Sequence, residues 1–162
     1  MQHKTLQSPS DDTPTQNSRS ALQQELRQDS RTYRFLQQHE LAILSTKDRY
    51  GDVAGAVVYY TFDYNQLYIL TKQGTQKARN MMQNPRVALT VYDADRLQTV
   101  QLRGTAEVEL DSAVRNFVYW QIVKANSAIR PKGDAPVSKI QAGGYIVFRI
   151  TPQQVNYSDF SD

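Results

Sequence analysis

Cysteine is absent from the 162 residues, and histidine is nearly so, with His3 and His39 the two present. Without cysteine there is no disulfide, zinc ribbon, iron–sulfur cluster or thiol nucleophile. A zinc site needs three or four ligands, usually His or Cys, so no metal site is expected. A Ser-His-Asp arrangement would rest on His39 alone. That residue ends a predicted helix, in Gln37-Gln38-His39-Glu40, and reads as a helix-terminal surface histidine. Long hydrophobic runs are also missing: none approaches the ~18 apolar residues of a membrane span. The N-terminal Met1-Gln2-His3-Lys4-Thr5 leads into polar sequence, so no signal peptide, no membrane partner and a cytoplasmic location are expected. If such a chain is an enzyme, an organic cofactor would carry the difficult chemistry.

What the chain does have is a mild positive charge, +3 in total with a pI near 9.1. Its placement says more than its size. No acid occurs from Asn65 to Tyr92, yet Lys72, Lys77, Arg79 and Arg86 do. Ser112 to Gly133 is also acid-free and carries Arg115, Lys124, Arg130 and Lys132. Two local cationic zones suit a small anionic ligand; the plainer alternative is an unevenly charged, solvated surface. The basic residues are not interleaved with aromatics on one strand face, so no nucleic-acid partner is expected.

The length suits one domain, taken as residues 20–162. Residues 1–19 lack aromatics and are rich in Gln, Ser, Thr and Asp. Such a segment buries too little apolar area to offset its ordering, and a flexible tail is expected. From Ser20 the pattern turns helical through Leu22, Leu26, Tyr33 and Leu36, with Ser30 a cap or an interruption. Strand-like segments follow at 41–46, 53–62 and 67–71, the last two joined at Asp63-Tyr64-Asn65-Gln66 as a hairpin. Ala78, Met81 and Met82 make one helical stripe, which Asn84-Pro85 ends. Segments 86–92 and 97–110 alternate again, and Gly104 marks a bulge or a sharp bend. Asp111 caps a helix to about Ala125, with Val114, Phe117, Val118 and Ile122 on its apolar face. Residues 126–142 read as an irregular loop, 145–150 as a strand, and 155–157 as a short further one. Mostly antiparallel strands with inserted helices suggest a mainly β protein built as a small closed or split barrel.

The most informative stretch is Ile69-Leu70-Thr71-Lys72-Gln73-Gly74-Thr75-Gln76-Lys77-Ala78-Arg79. A strand ends at Thr71, a glycine turn follows, and a helix starts near Thr75. Free N–H groups at a helix start bind phosphate, aided by the dipole. Lys77 in the first turn is unfavourable for that dipole unless an anion offsets it, and the hydroxyls of Thr71 and Thr75 add donors. The alternative is an ordinary N-cap with a solvated lysine.

These pieces, "AGAVVYY" at 54–60, "LYILTKQGTQKARNMMQNPRVALTV" at 67–91 and "TVQLRGTAEVEL" at 99–110, resemble the pyridoxamine 5′-phosphate oxidase-like, FMN-binding split-barrel family over roughly residues 33–157. The resemblance implies a six-stranded antiparallel split barrel and a homodimer with FMN at its interface. FMN phosphate would lie at Thr71, Gln76 and Lys77 with Lys72 beside them. The isoalloxazine ring would run along Ala56, Val57, Val58, Tyr59 and Leu70, and Thr99 matches a flavin-facing position. The Trp120 helix or the 126–142 loop would serve the partner's site. Gly55 and Tyr60 stand where the vitamin B6 oxidases carry a phosphate-binding Arg and a Lys, Gln76 replaces a common Arg, and no Arg-Leu-His-Asp-Arg-like motif occurs. These departures point away from pyridoxamine phosphate and toward short general-stress-type flavoproteins. The expected function is an FMN-dependent oxidoreductase acting on a small molecule, with no catalytic acid or base assigned. Tyr59 and Tyr60 line the expected pocket. The alternatives are a deazaflavin-dependent reductase, to whose groove Arg79, Arg130 and Lys132 would contribute, and a non-catalytic flavin- or haem-binding module, with His39 the axial candidate.

Overall fold

Apolar alternation along six segments produces six strands, and each finds an antiparallel neighbour on both sides, so that the sheet closes on itself. The computed structural model describes residues 15–28, 30–129 and 144–161. In chain order the elements are α1 (Gln16–Glu25), α2 (Arg31–Gln38), β1 (Leu41–Lys47), β2 (Val53–Asp63), β3 (Gln66–Lys72), α3 (Gln76–Gln83), β4 (Arg86–Asp93), β5 (Gln98–Val108), α4 (Ser112–Ile129) and β6 (Tyr145–Asp159). Around the barrel the order is β1-β2-β3-β6-β5-β4. The barrel form expected from the sequence is therefore the one observed. Among the described residues no helix is long and apolar enough to cross a membrane.

Local chemistry sets the connections. Asp48 Oδ1 accepts the N–H groups of Tyr50 and Asp52 in the β1–β2 turn. Tyr64 and Asn65 both take positive φ, 49° and 59°, the requirement of a type I′ hairpin turn between β2 and β3. Leu44, Leu67, Ile69, Leu89, Val91, Val100, Leu102, Phe148 and Ile150 fill the interior, each essentially inaccessible. α2 closes the Leu41 end of β1 with Phe35 and Leu36. α3 closes the Lys47 end with Ala78 and Met81, and its Asn80 side chain, itself buried, donates to Thr46 Oγ1 at 3.0 Å.

Gly104 sits at a register shift of the β5–β6 ladder, opposite Pro152. A Cβ there would stand 2.3 Å from the Thr151 carbonyl oxygen, so only glycine permits this approach. The bulge reading is borne out. The two short C-terminal strands are corrected to one: β6 runs unbroken through Pro152, whose missing N–H falls at the bulge. α1 begins at Gln16, capped by the Thr15 hydroxyl, rather than at Ser20. α4 continues to Ile129, past the expected end near Ala125. Phe117 is 40% exposed rather than part of that helix's buried face. The remainder of the proposed tail (1–14) and of the 126–142 loop (130–142), with Arg130 and Lys132, lies outside the described residues.

Candidate functional site

β2 and β3 pair only from Tyr60↔Ile69 to Asp63↔Gln66. Beyond that point β2 is held by β1 from Tyr59 back to Val53, and β3 by β6 from Leu70 on to Lys72. The barrel wall therefore splits between Tyr59 and Leu70. One edge of β2 over Ala56–Tyr59 has no ladder partner, and its N–H and C=O groups are left to other acceptors and donors. Side chains alternate along this edge. Val58 points into the core at 5% exposure, Val57 stands out at 71%, and Ala56 and Tyr59 are half-buried. A molecule in the split would thus meet Val58 only through its backbone. Outside the split, α4 packs Val114, Val118 and Ile122 against Tyr59, Tyr68, Leu70 and Val147.

The same split leads along β3 to the start of α3. Thr75 is the N-cap. Its Oγ1 accepts from the Ala78 N–H at 3.4 Å and donates to the Lys72 carbonyl at 2.9 Å. Buried Thr71 lies 3.1 Å from the same oxygen. The N–H groups of Gln76 and Lys77, the first two of the helix, take no acceptor among the described residues. Lys77 is half-buried and pairs with no carboxylate among them; Lys72 is exposed. The result is a short rim with free donors and positive charge among the described residues, the elements an anion needs.

Not every expected residue takes the expected part. The Gln76 amide is engaged within the helix: Nε2 donates to Asn80 Oδ1 at 2.7 Å and Oε1 accepts from Arg79 Nη2 at 2.8 Å. Arg79, which the sequence reading did not place at the start of α3, turns back toward it. Its Nη1 curls back to the Gly74 carbonyl at 2.7 Å, above the turn that precedes the helix. Its nearness to the cap, four residues on, is the one feature of the sequence that hints at this. Thr99 is half-buried on β5, paired with Tyr92 and Ser158, while the niche lies at the other end of β6, where Lys72 pairs with Tyr145. Within one chain Thr99 does not join the niche.

Tyr60 does not line the pocket, contrary to expectation. It is 3% exposed, and its hydroxyl donates to the Leu36 carbonyl at 2.9 Å. Burial, and then the charge of Glu40, pushes that hydroxyl far above the usual phenol range. His39 is half-buried rather than a surface residue. It stacks on Phe35, with ring nitrogens 2.8 Å from the Phe35 carbonyl and 3.3 Å from Asp93 Oδ2. Both nitrogens are engaged, which leaves neither for an axial bond to haem. Among the described residues no group of three His, Asp or Glu side chains could hold a metal ion.

Residues 29–159 match the pyridoxamine 5′-phosphate oxidase family. No curated protein matches the chain. Among solved structures, general stress protein 26 of Bacillus anthracis is similar at 20% identity and a TM-score of 0.57, over 75% of this chain and 87% of its own. A FAD-binding protein of Mesorhizobium loti is similar at 20% identity and a TM-score of 0.61, over 77% and 89%. The haem storage protein HutZ of Vibrio cholerae is similar at 19% and 0.62, over 78% and 90%. At such identities the likeness establishes the fold, and one fold evidently hosts different cofactors.

Proposed function

The chain belongs to the pyridoxamine 5′-phosphate oxidase family, and from that premise we propose that it is a homodimeric, FMN-dependent oxidoreductase acting on a small molecule. The observation that carries the reading is the continuity of the split with the α3 niche. An unpaired β2 edge stands beside Leu70, and β3 runs on directly to free N–H groups and to Lys77 and Arg79. A flat heteroaromatic ring with polar edges suits the first, and a terminal phosphate suits the second. The residues present fit FMN in this respect: Lys72, Lys77, Arg79 and the Gln76 and Lys77 amides would hold the phosphate, and the backbone from Ala56 to Tyr59 would hold the ring edge. Bound FMN would supply the electron acceptor that the side chains lack.

The dimer reading rests on the outer face of β2, β1 and β4, where Val53, Val57, Leu41, Ile43 and Tyr92 are exposed side by side. Covering such a face with a second copy is the economical way to hide it. Thr99, next to Tyr92 on that side, would then serve the flavin of the other copy. Pyridoxamine phosphate is not the substrate in this reading. Gly55 offers no side chain, and Tyr60 is committed to Leu36.

The test is titration of the purified chain with FMN, followed by flavin fluorescence, beside sedimentation and turnover with NAD(P)H. Saturable binding by a dimer, weakened in Lys77→Ala, supports the proposal. A protein that takes up no FMN, or whose Lys77→Ala variant binds it as tightly, refutes it.

A further inference from the structure

We propose that the groove between α1 and the outer face of the barrel binds a sugar phosphate, at a place separate from the α3 niche. The groove holds about 1080 Å³, the upper end of the range of small-molecule sites. One wall is the α1 stripe Ser18, Ala21, Leu22 and Glu25, spaced so that all four share a helix face. The floor is a row of registered strand residues, Ser45, Ala88, Arg103 and Gln154, running from β1 across β4 and β5 to β6. α1 precedes residues 29–159, so this wall lies outside the family match. The inference goes beyond the flavin reading and uses none of the residues placed at the flavin; its rim shares Val53 with the proposed dimer face.

Three observations define the ligand. The first is that α1 stands off the barrel. A short helix is ordinarily held by burying one face, yet no residue of α1 is buried, and only Leu26 just beyond it is. The helix is thus seated at its C-terminal end, while the stripe before it faces open space. The second is charge. Arg103 pairs with Ala88, and Arg86 lies two residues along β4, so the two guanidinium groups are diagonal neighbours on the outer face; Lys47 lines the same space. Like charges so placed repel. Lys47 and Arg103 meet no carboxylate among the described residues. Glu25 is the one acid in the lining, and its Oε2 already accepts from the Thr32 hydroxyl at 2.6 Å. A bound anion relieves this repulsion. The third is the rest of the lining. It has no aromatic ring on which a base or flavin could stack. It offers instead the carboxamides of Gln153, Gln154 and Asn156, none of which takes a side-chain hydrogen bond among the described residues. Carboxamides both donate and accept, as sugar hydroxyls require. Cations beside carboxamides, with no stacking surface, describe a polyhydroxylated phosphate ester.

The probe is fructose 1,6-bisphosphate, titrated calorimetrically into the full-length protein with saturating FMN, beside fructose and inorganic phosphate. Saturable binding of the bisphosphate is expected, with inorganic phosphate about 10-fold weaker or worse and fructose weaker still. Arg103→Gln should lose about 10-fold or more. Ala21 is exposed on α1, so Ala21→Trp fills the groove without entering the core; it should abolish binding and keep the parent's urea midpoint. Lys77→Ala, in the niche, should bind the bisphosphate as the parent does. No saturable heat, equal affinity for inorganic phosphate, or normal binding by Arg103→Gln or Ala21→Trp overturns the proposal. So does displacement of FMN by the bisphosphate, since the niche would then be its site. An Arg103→Gln variant that sediments as a monomer where the parent is a dimer also overturns it, because the groove would then belong to the contact between copies. A chain that takes up no FMN yet binds the bisphosphate through Arg103 upholds this inference while refuting the flavin reading.

Discussion

The Thr71 hydroxyl donates to Thr75 Oγ1 across 3.1 Å, because the one proton on Thr75 goes to the Lys72 carbonyl. The buried end of β3 is thereby tied to the cap of α3, and both hydroxyl protons are used inside the protein. An anion at this rim would be read by amides and cations rather than by the threonines. Thr71→Val should therefore cost roughly 0.5–1.5 kcal/mol of stability and leave FMN affinity nearly unchanged. Thr75→Ala, which removes the cap, should cost about 0.5–2 kcal/mol. Urea denaturation and FMN titration of the two variants check both statements. A large loss of affinity in Thr71→Val would show that its hydroxyl turns to the ligand.

Lys77 and Gln76 should differ sharply although they are adjacent. Among the described residues Lys77 has no carboxylate partner, whereas the Gln76 amide is bonded to Asn80 and Arg79. A charge-assisted hydrogen bond contributes roughly 1.5–3 kcal/mol, so Lys77→Ala should weaken FMN binding about 10- to 150-fold. Gln76→Ala should weaken it less than about 10-fold, mainly by releasing Arg79. Equal losses would mean that Gln76 leaves its helix partners and meets the phosphate.

Gly104→Ala should be among the most damaging single-methyl changes in the barrel. The added Cβ would press on a carbonyl of the neighbouring strand, from 2.3 Å, and backbone cannot swing aside as a side chain can. A cost on the order of 3 kcal/mol is expected, visible as a lowered urea midpoint or as insoluble protein. A variant with the parent's midpoint would show that the β5–β6 bulge is free to move.

The strands were legible because alternation survives wherever one face of a strand is wet; Val87, Leu89 and Val91 face the core between less buried neighbours, as the sequence indicates. The niche was legible too, since a strand, a glycine turn, a capping threonine and a first-turn lysine occur in sequence. β6 was not, because Pro152 reads as a breaker until its missing N–H is seen to fall at the bulge opposite Gly104. Nor was the place where the barrel splits. It depends on the β2–β3 ladder ending at Tyr60↔Ile69, and periodicity continues on both strands past that point. Tyr60 was misjudged because the alternation that turns Val58 inward also turns Tyr60 inward, and the hydroxyl finds Leu36 there. The curl of Arg79 onto Gly74 is a three-dimensional contact with no counterpart in spacing beyond proximity.

Acid should loosen the fold through Asp93. The Arg96 N–H, then the His39 ring and the Asp95 N–H, hold its carboxyl below the usual range, against a partial desolvation. The Asp95 and Arg96 amides stand 3.1 and 3.0 Å from Oδ1. With the folded value depressed, the unfolded chain takes up the proton first as pH falls. The contribution of Asp93 is therefore fully present above the unfolded value of about 3.9 and is lost as pH drops through the folded one. Asp159 is lowered in the same direction by the Ser161 hydroxyl and N–H, and adds to the effect. In urea titrations between about pH 6 and pH 2.5, the parent's midpoint should decline more steeply below about pH 4 than that of Asp93→Asn. If the two decline in parallel, the turn between β4 and β5 does not couple this carboxylate to folding, and the acid sensitivity lies elsewhere.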